Sequence, residues 1–194
     1  MSEDCTSLYE TPWDVTDLGG CHFYHTMDLP GFGLVEGHVD LRPSADAYLG
    51  NISVAGKRVL EIGPASGFLS FHMERQGAEV VALEVNDAVI WNAVPQPDLD
   101  MAAILADRSN HMAQIKRGFW LAHRALSSSV RVVYGDMHAI PHQLGRFDIV
   151  VLGGALLHSR DCIGVLQSCC ALADEAVVVT EQLLTPMKDY HNLP

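Results

Sequence analysis

Basic residues are scarce in this chain. Its 194 residues include 12 Lys+Arg against 24 Asp+Glu, a formal net charge of −12 with histidine neutral. Nucleic acids and anionic membranes are met by basic surfaces, so the balance disfavours both as general partners and leaves room only for a local basic patch. Long apolar runs are missing too: no window approaches the roughly 18 consecutive apolar residues of a membrane span. The opening Met1-Ser2-Glu3-Asp4-Cys5 is acidic and lacks the basic-then-apolar order of a secretory leader. Internal repeats and low-complexity tracts are absent. The five cysteines, Cys5, Cys21, Cys162, Cys169 and Cys170, are odd in number and irregular in spacing. That pattern predicts free thiols in a reducing compartment, hence a cytoplasmic chain. With 48% apolar and 19% charged residues the composition suits one compact core with a small appendage and excludes a disordered chain.

Two regions differ in texture. Residues 1–50 are rich in Gly, Pro, Asp, Thr and aromatics, among them Trp13, Phe23, Tyr24 and Phe32, and show no sustained helical or alternating period. They predict loops and turns folded onto a larger body, and their length suggests a functional lid on the substrate side. Residues 51–194 read as a second unit. Arg58–Ile62, Glu79–Glu84, Val130–Tyr134, Phe147–Leu152 and Ala176–Thr180 are short apolar runs that predict strands. Between them, Gly67–Gln76, Met101–Leu126 (with a break expected near Gly118) and Asp161–Leu172 predict helices, and residues 86–100, with Pro95 and Pro97, a connection. Strands alternating with helices predict βαβ units, an α/β fold with a doubly wound, mostly parallel sheet covered on both faces.

Chemistry concentrates at Val59-Leu60-Glu61-Ile62-Gly63-Pro64-Ala65-Ser66-Gly67-Phe68. A strand, a turn of small residues and a helix start let the backbone approach a ligand and offer free N–H groups to an anion. Spacing separates two cofactor classes. A dinucleotide pattern G-x-G-x-x-G begun at Gly63 would need a third glycine at position 68, where Phe68 stands. The pattern E/D-x-G-x-G-x-G fits better, with Glu61, Gly63, Ala65 in the middle slot and Gly67.

In these residues the chain resembles the class I S-adenosylmethionine-dependent methyltransferases, whose first motif this is. The resemblance implies a Rossmann-like sheet and S-adenosylmethionine as cofactor, with S-adenosylhomocysteine as product. It places Glu84 on the ribose hydroxyls, which suits a carboxylate facing a vicinal diol. It places Asp136, with Met137, at the adenine, and Gly153 at the end of a strand lining the site. Such positions at carboxyl ends of strands are where open α/β sheets bind ligands. A narrower likeness runs through Tyr24-His25-Thr26-Met27-Asp28-Leu29, Gly37, Asp40-Leu41-Arg42-Pro43, Gly118-Phe119, Leu121-Ala122-His123 and Ala155-Leu156-Leu157-His158. These look like a branch of small bacterial methyltransferases related to the enzyme that carboxymethylates the wobble uridine of tRNA. The family core continues with a helix and an antiparallel pair after the fifth strand. Only 13 residues, Gln182–Pro194, follow Glu181, so the last strands are expected to be missing or completed by a partner. Ala65 departs from the common glycine, and alanine is expected there only where φ is not positive.

The reading is methyl transfer from S-adenosylmethionine to an O or N atom of a small molecule, with a biosynthetic acceptor as one case and a homodimer as one assembly. A base of near-neutral pKa would take the acceptor's proton, and His25 and His158 are the candidates. Three alternatives stay open: an RNA uridine-modifying transferase, a non-catalytic methyltransferase-like binding module, and a nicotinamide oxidoreductase. Blander roles compete for single residues. Asp136 could simply cap a turn. Cys21, His22 and His25 are too few for a zinc finger, so no metal is expected. Cys169-Cys170 reads as buried, Trp91 and Trp120 as core, and Lys116-Arg117 as a solvated helix face.

Overall fold

A computed structural model describes residues 8–87, 98 and 100–181 of the chain. Cys5, Trp91, most of the connection at 86–100 and the C-terminal residues 182–194 lie outside the described residues. Strands β3 (Arg58–Ile62), β4 (Glu79–Val85), β5 (Arg131–Gly135), β6 (Phe147–Gly153) and β7 (Ala173–Thr180) form one parallel sheet in the order β5-β4-β3-β6-β7. Helices α2 (Phe68–Arg75), α3 (Met101–Ala125) and α4 (Cys162–Leu172) are the crossovers. This is the doubly wound, Rossmann-like α/β sheet that the sequence predicts. The chain winds outward from β3 through β4 to β5, then returns to β6 on the other side of β3. The topological switch therefore lies between β3 and β6, and its crevice opens at their carboxyl ends.

Strand alternation sorts the side chains onto two cores. Val59, Val80, Ala82, Val132, Ile149 and Val151 pack with Phe68, Phe71, Phe119 and Trp120 of α2 and α3. Leu60, Ile62, Val81, Leu83, Val150 and Leu152 pack with Val165 and Cys169 of α4 on the other face. The same alternation turns Glu61 and Glu84 toward α2 and α3.

Residues 1–50 are less featureless than the sequence suggests. Met27–Leu29 (β1) and Gly33–Val35 (β2) pair as an antiparallel hairpin, and Ala45–Tyr48 (α1) is one helical turn. The strands are three residues long and the helix four, too short to show a period in sequence. Farther upstream, Glu10 N–H donates to Val132 O at 2.8 Å, so residues 8–15 run beside the β5 edge.

Helix α3 is unbroken from Met101 to Ala125, contrary to the expected break at Gly118. Gly118 serves close approach instead: an added Cβ would lie 2.5 Å from the His22 carbonyl oxygen. A 25-residue helix is about 37 Å long, against roughly 23 Å for a seven-residue strand. The buried residues of α3 run from Ile115 to Ala122. Its first half thus rises past the carboxyl edge of the sheet. Two further expectations fail locally. Cys170 is exposed while Cys169 is buried, because consecutive helical residues face different directions. Lys116 is buried, not solvated, with its side chain 3% exposed.

Candidate functional site at the carboxyl ends of β3, β4 and β6

The turn after β3 is built from left-handed backbone. Gly63 has φ of 72°, Ala65 of 50° and Gly67 of 88°. The Ala65 value overturns the expectation that alanine stands at negative φ. A compensating bond sits on it: Ala65 N–H donates to Glu84 Oε2 at 3.1 Å. At Gly67 an added Cβ would meet the Phe71 ring at 2.5 Å and the Phe119 ring at 2.7 Å, so only glycine fits. Gly63 N–H donates to Leu83 O at 2.9 Å, fastening the turn to β4.

Two carboxylates close the corner. Glu84, 7% exposed, receives Ala65 N–H on one oxygen and its neighbour Val85 N–H on the other at 2.7 Å. Each oxygen keeps a further lone pair, which leaves acceptors for a vicinal diol. Burial raises its pKa, while the two N–H groups and the Lys116 ammonium work against that rise. Glu61, 2% exposed, accepts from the Ser70 hydroxyl of α2. Burial pushes its pKa up to about 7, opposed by the Ser70 bond and reinforced by the charge of Glu84. Buried acids are costly without partners. Here they line a loop that would admit a ligand carrying hydroxyls and positive charge, so the residues present fit the cofactor implied by the resemblance.

Above the loop runs a strap, residues 21–42. Ser66, fully buried, accepts from Tyr24 N–H at 3.1 Å and His25 N–H at 3.3 Å. Gly37 lets the strap double back, since an added Cβ there would lie 2.3 Å from the His25 carbonyl carbon. His22, His38 and the α3 residue His111 gather at ring distances of 4.8 and 4.4 Å where the strap crosses α3. His25 belongs to the strap, with its side chain buried rather than out on a lid surface. It is 8% exposed, its Nδ1 has no hydrogen-bond partner among the described residues, and burial lowers its pKa to about 4.

On the other side of the switch, Gly153 ends β6 against Tyr48: an added Cβ would stand 3.0 Å from the Tyr48 ring. Thr180 Oγ1 donates to Tyr48 O at 2.6 Å, and Leu156 N–H donates to Glu181 Oε1 at 2.8 Å. Glu181 thereby anchors the short turn Leu156–His158. The pKa of His158 is lowered by burial and by Arg108, and raised by Glu181. Tyr48 titrates above its usual range through burial and the nearby Glu181, Tyr24 and Glu61.

Asp136 takes the capping role: its Oδ1 accepts from His138 N–H and contacts His138 Nδ1, both at 2.8 Å. Met137 is partly buried against the α4-side core. The structure thus brings Glu61, Gly63, Ala65, Gly67 and Glu84 into one corner, with the buried His25 of the strap beside it. Gly153 and His158 lie at the β6 end. Sequence reasoning missed Ser66, Ser70, Lys116 and Tyr48. Ser66 and Ser70 lie in or just after the loop, where hydroxyl side chains are a signal; Lys116 and Tyr48 carry none. Among the described residues no group of three or more His, Cys, Asp or Glu is placed to hold a metal ion, and no helix is long and apolar enough to cross a membrane.

No protein-family model and no curated protein matches the sequence. Solved structures do match its fold. The chain is similar to the N-terminal domain of EvdMO1 with SAH bound, with a TM-score of 0.53 and 19% identity over 81% of this chain and 58% of that one. The same domain with SAH and D-fucose gives 0.50 and 20% over 81% and 57%. Magnesium protoporphyrin IX methyltransferase (ChlM) from Synechocystis PCC 6803 with bound SAM gives 0.48 and 14% over 72% and 55%. The chain spans little more than half the length of these structures. At such identities the likeness is one of fold.

Proposed function

We propose that this chain transfers the methyl group of S-adenosylmethionine to an O or N atom of a small molecule. The observation that carries the reading is the bond from Ala65 N–H to Glu84. It ties the left-handed, side-chain-poor loop at the switch point, where this fold binds ligands, to a buried carboxylate at the neighbouring end of β4. The fold likeness to a domain with SAH bound supports it. Gly63, Ala65 and Gly67 would pass along the amino-acid end of the cofactor, Glu84 would take the ribose hydroxyls, and Asp136 with Met137 would border the adenine. Gly153 leaves room at the end of β6. Glu61 supplies a second acid in a site meant for positive charge. The bound cofactor would supply a methyl group on a sulfonium, a good leaving group that needs no general acid.

The chain's own contribution is then to exclude water, align the acceptor and receive its proton. His158 suits the last task better than His25. It is held by the turn that Glu181 anchors, it is exposed so that an acceptor can reach it, and partial desolvation favours its neutral, proton-accepting form. His25 Nδ1 is buried and titrates too low to hold a proton near neutrality. A net charge of −12 favours a small acceptor over RNA.

Thermal melting with S-adenosylmethionine, S-adenosylhomocysteine, NAD and NADP tests the reading, since a ligand of the folded state alone raises the midpoint with concentration. S-adenosylhomocysteine is expected to raise it in the wild type and to do so far less in Glu84→Ala. A shift with a nicotinamide cofactor alone would overturn the proposal.

A further inference from the structure

Buried lysines need a reason. Lys116 sits on the inward face of α3 with 3% of its side chain exposed. Its ammonium donates to Asp87 Oδ1 at 2.7 Å and lies 4.3 Å from the centre of the Tyr134 ring. Asp87 alone does not explain the burial. Its side chain is 86% exposed, so water already satisfies it and it gives no reason for the lysine to be drawn into the interior. Tyr134 contributes a ring face and is itself held by Trp120 Nε1, which donates to its hydroxyl at 2.8 Å. The remaining partner is a charge. Glu84 is paired in register with Tyr134 across β4 and β5, and both side chains face α3. A buried carboxylate and a buried ammonium on facing elements offset each other's desolvation.

We propose that Lys116 is a positioning residue of the nucleoside subsite, its buried ammonium supplying the counter-charge for Glu84 and tethering Asp87, so that the end of β4 presents two carboxylates to a ribose. This rests on the methyltransferase reading above. A dinucleotide or S-adenosyl ligand meets Glu84 through hydroxyl donors, and a charged carboxylate accepts them on both oxygens where a protonated one loses an acceptor. The groups facing Glu84 are Glu61 on β3, Lys116 on α3, Tyr134 on β5 and the N–H groups of Ala65 and Val85. Of these, Lys116 is the cation. Without it, burial pushes Glu84 further toward its neutral form, opposed only by the two N–H groups.

The experiment is calorimetric binding of S-adenosylhomocysteine at a series of pH values to the wild type, Lys116→Met, Lys116→Arg, Glu84→Gln and the Lys116→Met/Glu84→Gln pair. The titration of Glu84 is followed in parallel by carboxyl NMR on ligand-free protein. Any wild-type change in affinity between about pH 6.5 and about pH 8.5 is expected to follow Glu61, which is common to all the variants, so each variant is read relative to the wild type at the same pH. Lys116→Met is expected to weaken binding about tenfold at the acidic end and progressively less as pH rises, with Lys116→Arg restoring most of it. The double variant should bind no worse than Glu84→Gln, because the lysine acts through that carboxylate. In the ligand-free protein Lys116→Met should move the Glu84 midpoint upward. An unchanged midpoint, or an equal loss at every pH that adds to that of Glu84→Gln, would overturn the role of Lys116. A wild type that binds no S-adenosylhomocysteine would overturn the methyltransferase reading and the nucleoside role together, while the NMR titration still judges the Lys116–Glu84 coupling.

Discussion

The corner below and the strap above bury polar groups in opposite ways. In the corner every buried charge has an answer: Glu61 has Ser70, Glu84 has two N–H groups, and Lys116 has Asp87. In the strap the buried ring of His25 has a nitrogen with no hydrogen-bond partner among the described residues, and main chain meets Ser66, Gly37 and Gly118 at close range. The corner is thus arranged to hold charge in a fixed place. The strap closes by shape, and its own charges Asp28, Asp40 and Arg42 pair with one another instead of facing the corner. Substitutions of small residues should separate the two designs.

The largest effect is expected at Gly67. Alanine there must take φ of 88° and push into the rings of Phe71 and Phe119, both buried in the larger core. Strain and overpacking together should cost about 3–5 kcal/mol of global stability. Gly37→Ala, although its Cβ would come still closer to backbone, should cost only about 1–2 kcal/mol because the strap can lift locally. Urea unfolding reads the first. Limited proteolysis within residues 21–42 reads the second, which should open the strap while leaving the sheet resistant. Equal global losses would mean that the strap is as integral as the corner.

Titration should distinguish them next. His25 falls from an ordinary 6.5 to about 4 on folding, so the unfolded chain binds more protons in between and stability rises with pH across that window. Glu61 goes from 4.5 up to about 7, so the folded chain keeps a proton that the unfolded chain releases, and stability falls as pH rises from 4.5 through 7. Each contributes about 3 kcal/mol over its window, with opposite sign. The wild type should therefore show a shallow net dependence between about pH 4.5 and about pH 6.5. His25→Gln should expose the fall due to Glu61, and Glu61→Gln the rise due to His25. Unfolding free energies measured at stepped pH decide it; variants that run parallel to the wild type would refute the pairing.

The same contrast governs what could be read beforehand. Parallel strands buried on both faces appear as apolar runs, so β3, β4, β5 and β6 were legible within a residue or two of their ends. β7 was legible in its apolar half, Ala176–Thr180, while its acidic start at Asp174 and Glu175 hid the rest. The corner residues were legible because Glu61, Gly63, Gly67 and Glu84 are local to one strand–turn–helix–strand unit. The strap's fastenings were not, since they join residues far apart. Gly118 reads as a helix break until the His22 carbonyl is laid against it. Lys116 reads as surface until Asp87, 29 positions away, and Tyr134 come beside it. Tyr48 meets Gly153 only because α1 folds under β6. Local chemistry was visible, and long-range contacts with a glycine or a lone polar atom at one end were not.

The smallest effect tests the single hydroxyl that joins the two regions. Ser66→Ala removes the acceptor of two N–H groups, Tyr24 at 3.1 Å and the buried His25 at 3.3 Å. Both bonds are long, and Tyr24 can reach water, so the loss should be about 1 kcal/mol, near the lower end for orphaning a buried donor. Alanine keeps the loop's small side chain, so Glu84 and its bond to Ala65 should be untouched. Amide hydrogen exchange is the right measurement: faster exchange is expected at Tyr24 and His25, with protection at Ala65 and Val85 unchanged. If Ala65 and Val85 also lost protection, the strap would be holding the loop in shape rather than covering it, and the corner's charges would depend on a segment that carries none of them.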